Sequence, residues 1–172
     1  RNVAEAQMSI KQPKVVPVIE WCPPSPEYLK FNVDGSALKD TTDGRIVNGT
    51  LHPIDIGGVL RNYERVAMAL FSKSVGMQDS NVAELLAIRE ALFMVDQRLK
   101  TYGSLERNII IESDSKVAVS WVNKEDQIPW KLNQILNITK VLINNINLHR
   151  MVEIIYSPRS GNAWANHLEG SK

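Results

Sequence analysis

Cysteine is nearly missing from this chain: Cys22 is the only one in 172 residues. A single thiol cannot close an internal disulfide, which excludes a disulfide scaffold, and cannot build a zinc site alone. A reducing, intracellular setting, nucleus or cytoplasm, is the expectation. An excess of one charge is lacking too. There are 20 basic and 19 acidic side chains, for a net charge of +1. Any affinity for nucleic acid must therefore come from a local basic surface and not from a polycationic coat. No run approaches the ~18 apolar residues of a transmembrane helix, and no apolar stretch follows the basic start as a signal peptide requires. No membrane partner is expected. Internal repeats and low-complexity tracts are absent. The first residue is Arg1, not Met, and the chain is expected to be a monomer or a piece of a larger polyprotein. What is present is 44% hydrophobic residues, enough for one ordinary globular core.

Residues 1–27 carry Pro13, Pro17, Pro23, Pro24 and Pro26, which forbid a continuous helix. They read as a linker or lead-in that becomes extended near Trp21, a residue expected to cover one end of a sheet. A domain is expected over 28–172. Strand signals fall at about 28–34, 57–62, 65–75, 108–112 and 151–156, with a tight turn near Asn62-Tyr63-Glu64. Between the first two lies a polar stretch, an extended loop at about 37–56, with turn signals at Asp43-Gly44 and Asn48-Gly49. Leu85, Ile88, Leu92, Val95 and Leu99 recur at helical spacing, with Ser80 or Asn81 as candidate N-cap and Gly103 at the end. A short helix is expected over 115–124. A longer one, over 131–149, turns Leu132, Ile135, Leu136, Leu142, Ile143 and Ile146 inward. A helical turn is expected from Asn162. Three antiparallel strands followed by alternating helix and strand predict an α/β fold with a mixed five-stranded sheet flanked by helices.

The chemistry gathers around Lys30-Phe31-Asn32-Val33-Asp34-Gly35-Ser36, a strand that delivers one carboxylate into turn residues. Desolvating such an aspartate is costly unless it is paired. Alone, an Asp before Gly at a strand end is more often a turn residue than a catalyst. Two later carboxylates stand in comparable settings. Glu84 starts a helix and could simply favour its N-terminus. Asp114 follows a β-branched run and could be a helix N-cap.

Taken together these stretches resemble the type 1 ribonuclease H family, closest to the ribonuclease H-like domains related to plant retrotransposon polyproteins, described as reverse transcriptase-like. Five segments carry the resemblance in family order: Asn32 to Ser36, Gly57 to Arg61, Ala83 to Leu92, Glu112 to Ser115, and Arg159 to Leu168. They span roughly 28–168. The resemblance implies the ribonuclease H-like fold and a metal-dependent endonuclease that cuts the RNA strand of RNA–DNA hybrids. The alternative is a non-catalytic nucleic-acid-binding module derived from a retroelement. Asp34, Glu84 and Asp114 are implied as catalytic ligands of Mg2+ or Mn2+. Two such ions about 3.5–4 Å apart would position water and neutralise the phosphate. Clustered carboxylates repel one another without metal. Glu112 reads as a surface acid flanking the site. Gly35, Ser36, Asn81, Ser115, Lys116 and Arg159 are implied contacts to nucleic acid, and Lys124 and Lys131 are further candidates for phosphate. Trp121 and Trp130 read as core residues before stacking platforms.

The chain departs from the family pattern in the last segment. The fourth catalytic position, an acid in the family, is Asn166; a neutral amide there implies attenuated activity. Tyr156 takes the place of a histidine, and Ser160 that of a glutamate. His167 beside Asn166 reads as incidental.

Overall fold

In a computed structural model, residues 21–37, 52–124 and 127–159 are described. The expected turns at Asp43-Gly44 and Asn48-Gly49, most of the lead-in, and the closing helical turn with Asn166 and His167 lie outside them.

The element order is β1 (Tyr28–Ala37), β2 (His52–Arg61), β3 (Ala67–Gln78), α1 (Ser80–Tyr102), β4 (Asn108–Ser113), α2 (Lys116–Lys124), a 3-10 turn (Trp130–Leu132), α3 (Asn133–Asn147) and β5 (Val152–Tyr156). The strands form one five-stranded sheet in the order β3-β2-β1-β4-β5. β1 is central, antiparallel to β2 and parallel to β4. β4 is in turn parallel to β5. The expected mixed sheet is what forms.

The alternation along β1 explains its place. Phe31 and Val33 are fully buried against α1, while Lys30, Asn32 and Asp34 belong to the other parity of the strand. The core is continuous: Leu85, Ile88 and Leu92 of α1, Ile109 and Ile111 of β4, Leu136 and Ile146 of α3, and Ile54 and Ile56 of β2 are all buried.

Three boundaries differ from the sequence reading. The loop expected over about 37–56 is shorter, because β1 and β2 stay paired out to Ala37↔Ile54. Ile54 and Ile56 are core residues with Asp55 between them, a period-two pattern masked by Pro53 and by the polar residues around it. The α1 N-cap is Asp79, one residue before the expected Ser80 or Asn81. Its side chain accepts the backbone N–H of Asn81 at 2.8 Å. Helix α3 begins at Asn133, since the preceding turn is 3-10 in geometry. Gly103 does close α1, in the left-handed conformation, with its N–H on Leu99 O at 2.7 Å.

The turn between β2 and β3 is built by Asn62, whose Oδ1 accepts the N–H groups of Glu64 at 3.0 Å and Val66 at 2.9 Å. That side-chain anchor holds Arg65 at a φ of 66°.

Candidate active site

Asp34, Glu84 and Asp114 come from three separate segments, and the sheet register explains why they meet. The parallel pairing of β1 with β4 sets Val33 against Ser113, so the next residues come side by side. Asp114 lies just past the end of β4. Asp34 is still within β1, paired with Gly57, since Gly35 and Ser36 continue the strand and do not form the expected turn. Glu84 is brought in by the helix. A Cβ placed on Gly35 would lie 2.5 Å from the carbonyl carbon of Ala83 and 2.7 Å from Glu84 N. Only a glycine lets α1 lie this close to β1. One carboxylate oxygen from each of the three acids lies within 4.8 Å of the other two. Asp34 and Glu84 are buried, at 2% and 5% exposure.

The bland alternatives for these acids do not describe what they do. Asp114 is not the N-cap of α2. Ser115 has that role, its Oγ accepting the N–H of Ala118 at 3.1 Å. Glu84 lies beyond the first turn of α1, where no acid is found. Ser113, which the sequence reading passed over, is fully buried. Its Oγ donates to Glu84 Oε2 at 3.1 Å and accepts the N–H of Ser115 at 3.2 Å. One hydroxyl thus fixes Glu84 and the turn that carries Asp114. Its only sequence signal is a small polar residue ending an apolar β-branched strand.

The site holds negative charge under strain. Burial, the charge of Asp34 and a hydrogen bond with it, and then the charge of Asp114, push the Glu84 carboxyl from 4.5 up to about 10. The Gly35 N–H opposes that shift. Glu84 thus retains a proton at neutral pH when no metal ion is bound. A cation does reach the cluster from the chain itself: Arg159 Nε donates to Asp114 Oδ2 at 2.8 Å. That bond and the charge of Asp114 raise the Arg159 pKa.

The donor set suits a hard divalent cation, which takes carboxylate oxygens. Asp34, Glu84 and Asp114, each with one oxygen within 4.8 Å of the other two, are the residues that would hold such an ion.

The other candidate residues fall in different places. Gly35 is buried, and its glycine identity follows from the approach of Ala83. Ser36 continues β1. Asn81 sits half-buried in the first turn of α1, three residues before Glu84, and Ser115 is half-buried. Lys116 is exposed, its Nζ 4.9 Å from the centre of the Tyr156 ring. Tyr156 pairs with Ser113 across β4 and β5, so the position of the family histidine does border the site. Lys124 and Lys131 are exposed. Trp121 packs against the core, but Trp130 is 84% exposed and is not a core residue. It opens the 3-10 turn after Pro129, and the inward place in that turn is taken by Leu132, which is buried.

Glu112 also differs from expectation. It is not a surface acid but is 6% exposed. Its Oε1 lies 2.7 Å from Lys30 Nζ, and its Oε2 accepts Asn32 Nδ2 at 2.7 Å. Arg61 Nη1 donates to Asn32 Oδ1 at 3.1 Å. Lys30 and Arg61 both face the ring of Trp21, at 5.7 and 5.1 Å, and Lys30 also donates to Cys22 O at 2.9 Å. Trp21 therefore covers β1 and β2, and Glu112 is spent on pinning that cover.

The comparisons agree with this fold. The ribonuclease H1 of the halophilic archaeon Halobacterium salinarum NRC-1 matches with a TM-score of 0.63 at 19% identity, over 82% of this chain and 93% of that one. LC11-RNase H1, isolated from compost by a metagenomic approach, has a TM-score of 0.66 at 20% identity, over 83% and 92%. A foamy viral protease-reverse transcriptase in complex with RNA/DNA hybrid matches with a TM-score of 0.57 at 22% identity. Here 98% of this chain covers 21% of that one. A sequence comparison with curated proteins gives no match. A sequence profile of the family described as reverse transcriptase-like matches residues 41–169, a span that takes in Glu84 and Asp114. With that match over most of its length, and with the sheet order and helices of the ribonucleases H around its three carboxylates, the chain belongs to the reverse transcriptase-like family and has the ribonuclease H-like fold.

Proposed function

We propose that this protein is a divalent-metal-dependent endonuclease that cleaves the RNA strand of RNA–DNA hybrids. The observation that carries the reading is the meeting of Asp34, Glu84 and Asp114 within 4.8 Å, on a fold shared with ribonucleases H. One of those neighbours, LC11-RNase H1, is described in complex with an RNA/DNA hybrid.

Asp34, Glu84 and Asp114 would hold Mg2+ or Mn2+. Bound there, the metal supplies an activated water and neutralises charge developing on the phosphate. The chain's own part is positioning. Ser113 holds Glu84 by its hydroxyl, and the Gly35–Ala83 contact fixes the distance between β1 and α1. Lys116 and Arg159 offer cations for phosphates, which position a nucleic acid without reading its sequence. Distinguishing RNA from DNA needs contact with the 2′-hydroxyl, a role for Asn81 and Ser36.

A second reading, a binding module without turnover, is favoured by two features: Asn166 stands where the family carries an acid, and Tyr156 stands in place of its histidine. The discriminating experiment is cleavage of a labelled hybrid with and without Mg2+ or Mn2+, in the protein as it stands and in Asn166→Asp. Slow, manganese-favoured cleavage that quickens in Asn166→Asp supports the nuclease. Hybrid binding with no cleavage by either protein supports the binding module. A protein that neither binds nor cleaves a hybrid, with or without metal, removes both readings.

A further inference from the structure

Arg159 reaches the carboxylate cluster from the segment that follows β5. That segment is anchored beside the site: the Ser157 N–H donates to Ser113 O at 2.9 Å. The guanidinium Nε then donates to Asp114 Oδ2 at 2.8 Å. The two partners are held very differently. The Asp114 side chain is 5% exposed and that of Arg159 is 75% exposed. The carboxylate is fixed in the site, while the guanidinium comes in from solvent.

A guanidinium has only donors and never loses its charge in a protein. At Asp114 it does part of what a bound cation does, satisfying an oxygen and offsetting one negative charge. It does so on one of the three acids proposed to hold the metal. A divalent ion carries twice the charge and coordinates several oxygens at once. The two cations thus compete for the same carboxylate. The exposed guanidinium is the one that can leave, since an ion pair with one partner largely in water is weak. The nearby Lys30–Glu112 pair makes the contrast. There the side chains are 10% and 8% exposed, and neither partner has solvent to withdraw into.

We infer that Arg159 is a tethered placeholder cation: it occupies Asp114 in the metal-free protein, yields it when a divalent ion binds, and then presents its freed guanidinium to a phosphate of the nucleic acid beside that ion. This rests on the metal-centre reading of the three acids. It gives one residue two successive partners, a carboxylate and then a phosphate, both of the geometry that arginine pairs with well.

Calorimetric titration of Mn2+ into the protein without nucleic acid tests the exchange, with Asp34→Asn as the site-blocked control. Arg159→Ala should bind Mn2+ about two- to fivefold more tightly than the unaltered protein, the worth of one largely exposed ion pair. Arg159→Lys, which keeps the charge, should stay near the unaltered protein. In the 15N spectrum the Arg159 Nε–H resonance should move on adding Mg2+. With Mg2+ present, Arg159→Ala should bind an RNA–DNA hybrid more weakly. Equal or weaker Mn2+ binding in Arg159→Ala overturns the placeholder while leaving the metal centre standing. Arg159→Lys binding as tightly as Arg159→Ala overturns it as well. No Asp34-dependent Mn2+ binding in any of the proteins overturns the metal centre itself, and the placeholder with it.

Discussion

Gly35 and Ala83 touch so closely that no side chain fits between them: a Cβ on Gly35 would meet the Ala83 carbonyl carbon at 2.5 Å and its oxygen at 2.7 Å. The obstacle is helix backbone, which cannot rotate away as a side chain would. Gly35→Ala must therefore push the start of α1 off β1, and Glu84 moves with it. Overpacking of this kind costs about 1–3 kcal/mol. Thermal unfolding should show the loss, and Mn2+ titration should show weakened binding, because one carboxylate is displaced from the other two. A Gly35→Ala protein that melts and binds Mn2+ like the original would show that the contact does not set the site.

Ser113 is the residue that ties the site's two acidic arms together, donating to Glu84 and accepting from Ser115 N–H. Ser113→Ala removes one buried hydrogen bond, a stability loss of about 1 kcal/mol. The larger effect falls on the metal, since outer partners that orient a ligand commonly govern affinity about 10- to 100-fold. Ser113→Thr, which keeps the hydroxyl, should recover most of the binding. Divalent-ion titration of the two variants side by side checks this. If the threonine variant is no better than the alanine variant, the hydroxyl is not what orients Glu84.

Much of this arrangement is legible in the sequence, and the parts that are not share a cause. Asp34, Glu84 and Asp114 could be picked out as a set because they stand in segments that resemble the ribonuclease H family in family order; taken singly, each has an ordinary turn or helix-terminus explanation. The β-branched run Ile109-Ile110-Ile111 announces a central strand. Side-chain partnership across strands is not local, so it is hidden. Glu112 looks like a solvated acid until the register sets Asn32 against it and Lys30 closes on it. Ser113 looks like a strand terminus until Glu84 arrives from 29 positions away. Trp130 has a core-like identity, but the 3-10 turn it opens leaves it in solvent at 84% exposure. The Arg159 motif suggested phosphate, and its actual partner, Asp114, lies 45 positions earlier.

The Lys30–Glu112 pair should prove costly to break and cheap to replace. Both side chains are nearly buried, with a 2.7 Å contact. Glu112→Ala leaves Lys30 without its anion and Asn32 Nδ2 without its acceptor, so a loss of about 3–5 kcal/mol is expected. The double change Lys30→Met with Glu112→Leu removes both charges and should recover most of that loss, as a buried pair gains little net stability once its desolvation is counted. Chemical denaturation of the single and double variants measures it. A double variant no more stable than Glu112→Ala would mean that the ionic network itself, and not merely the avoidance of an unpaired charge, holds the Trp21 cover in place.

Glu84 ties stability to pH with a definite sign. Its carboxyl rises from 4.5 in the free chain to about 10 in the fold, mainly through burial and then through Asp34. Between those values the folded protein holds a proton on Glu84 that the unfolded chain has released. Stability then falls as pH rises, by up to about 1.4 kcal/mol per pH unit for one proton. The contribution is fully present below the unfolded pKa and is lost as pH climbs through the folded one. The metal-free protein should thus melt at a lower temperature at pH 8.5 than at pH 6.5. Glu84→Gln keeps an acceptor for Ser113 and has no proton to lose, so its melting temperature should exceed that of the original at pH 8.5 and vary less across the same range. A divalent ion requires the carboxylate form, so saturating Mn2+ should stabilise the original protein more at pH 8.5 than at pH 6.5 and should not stabilise Glu84→Gln to the same degree. Melting curves at the two pH values, with and without Mn2+, provide the check. Identical pH slopes for the metal-free original and Glu84→Gln would show that Glu84 does not carry the proton.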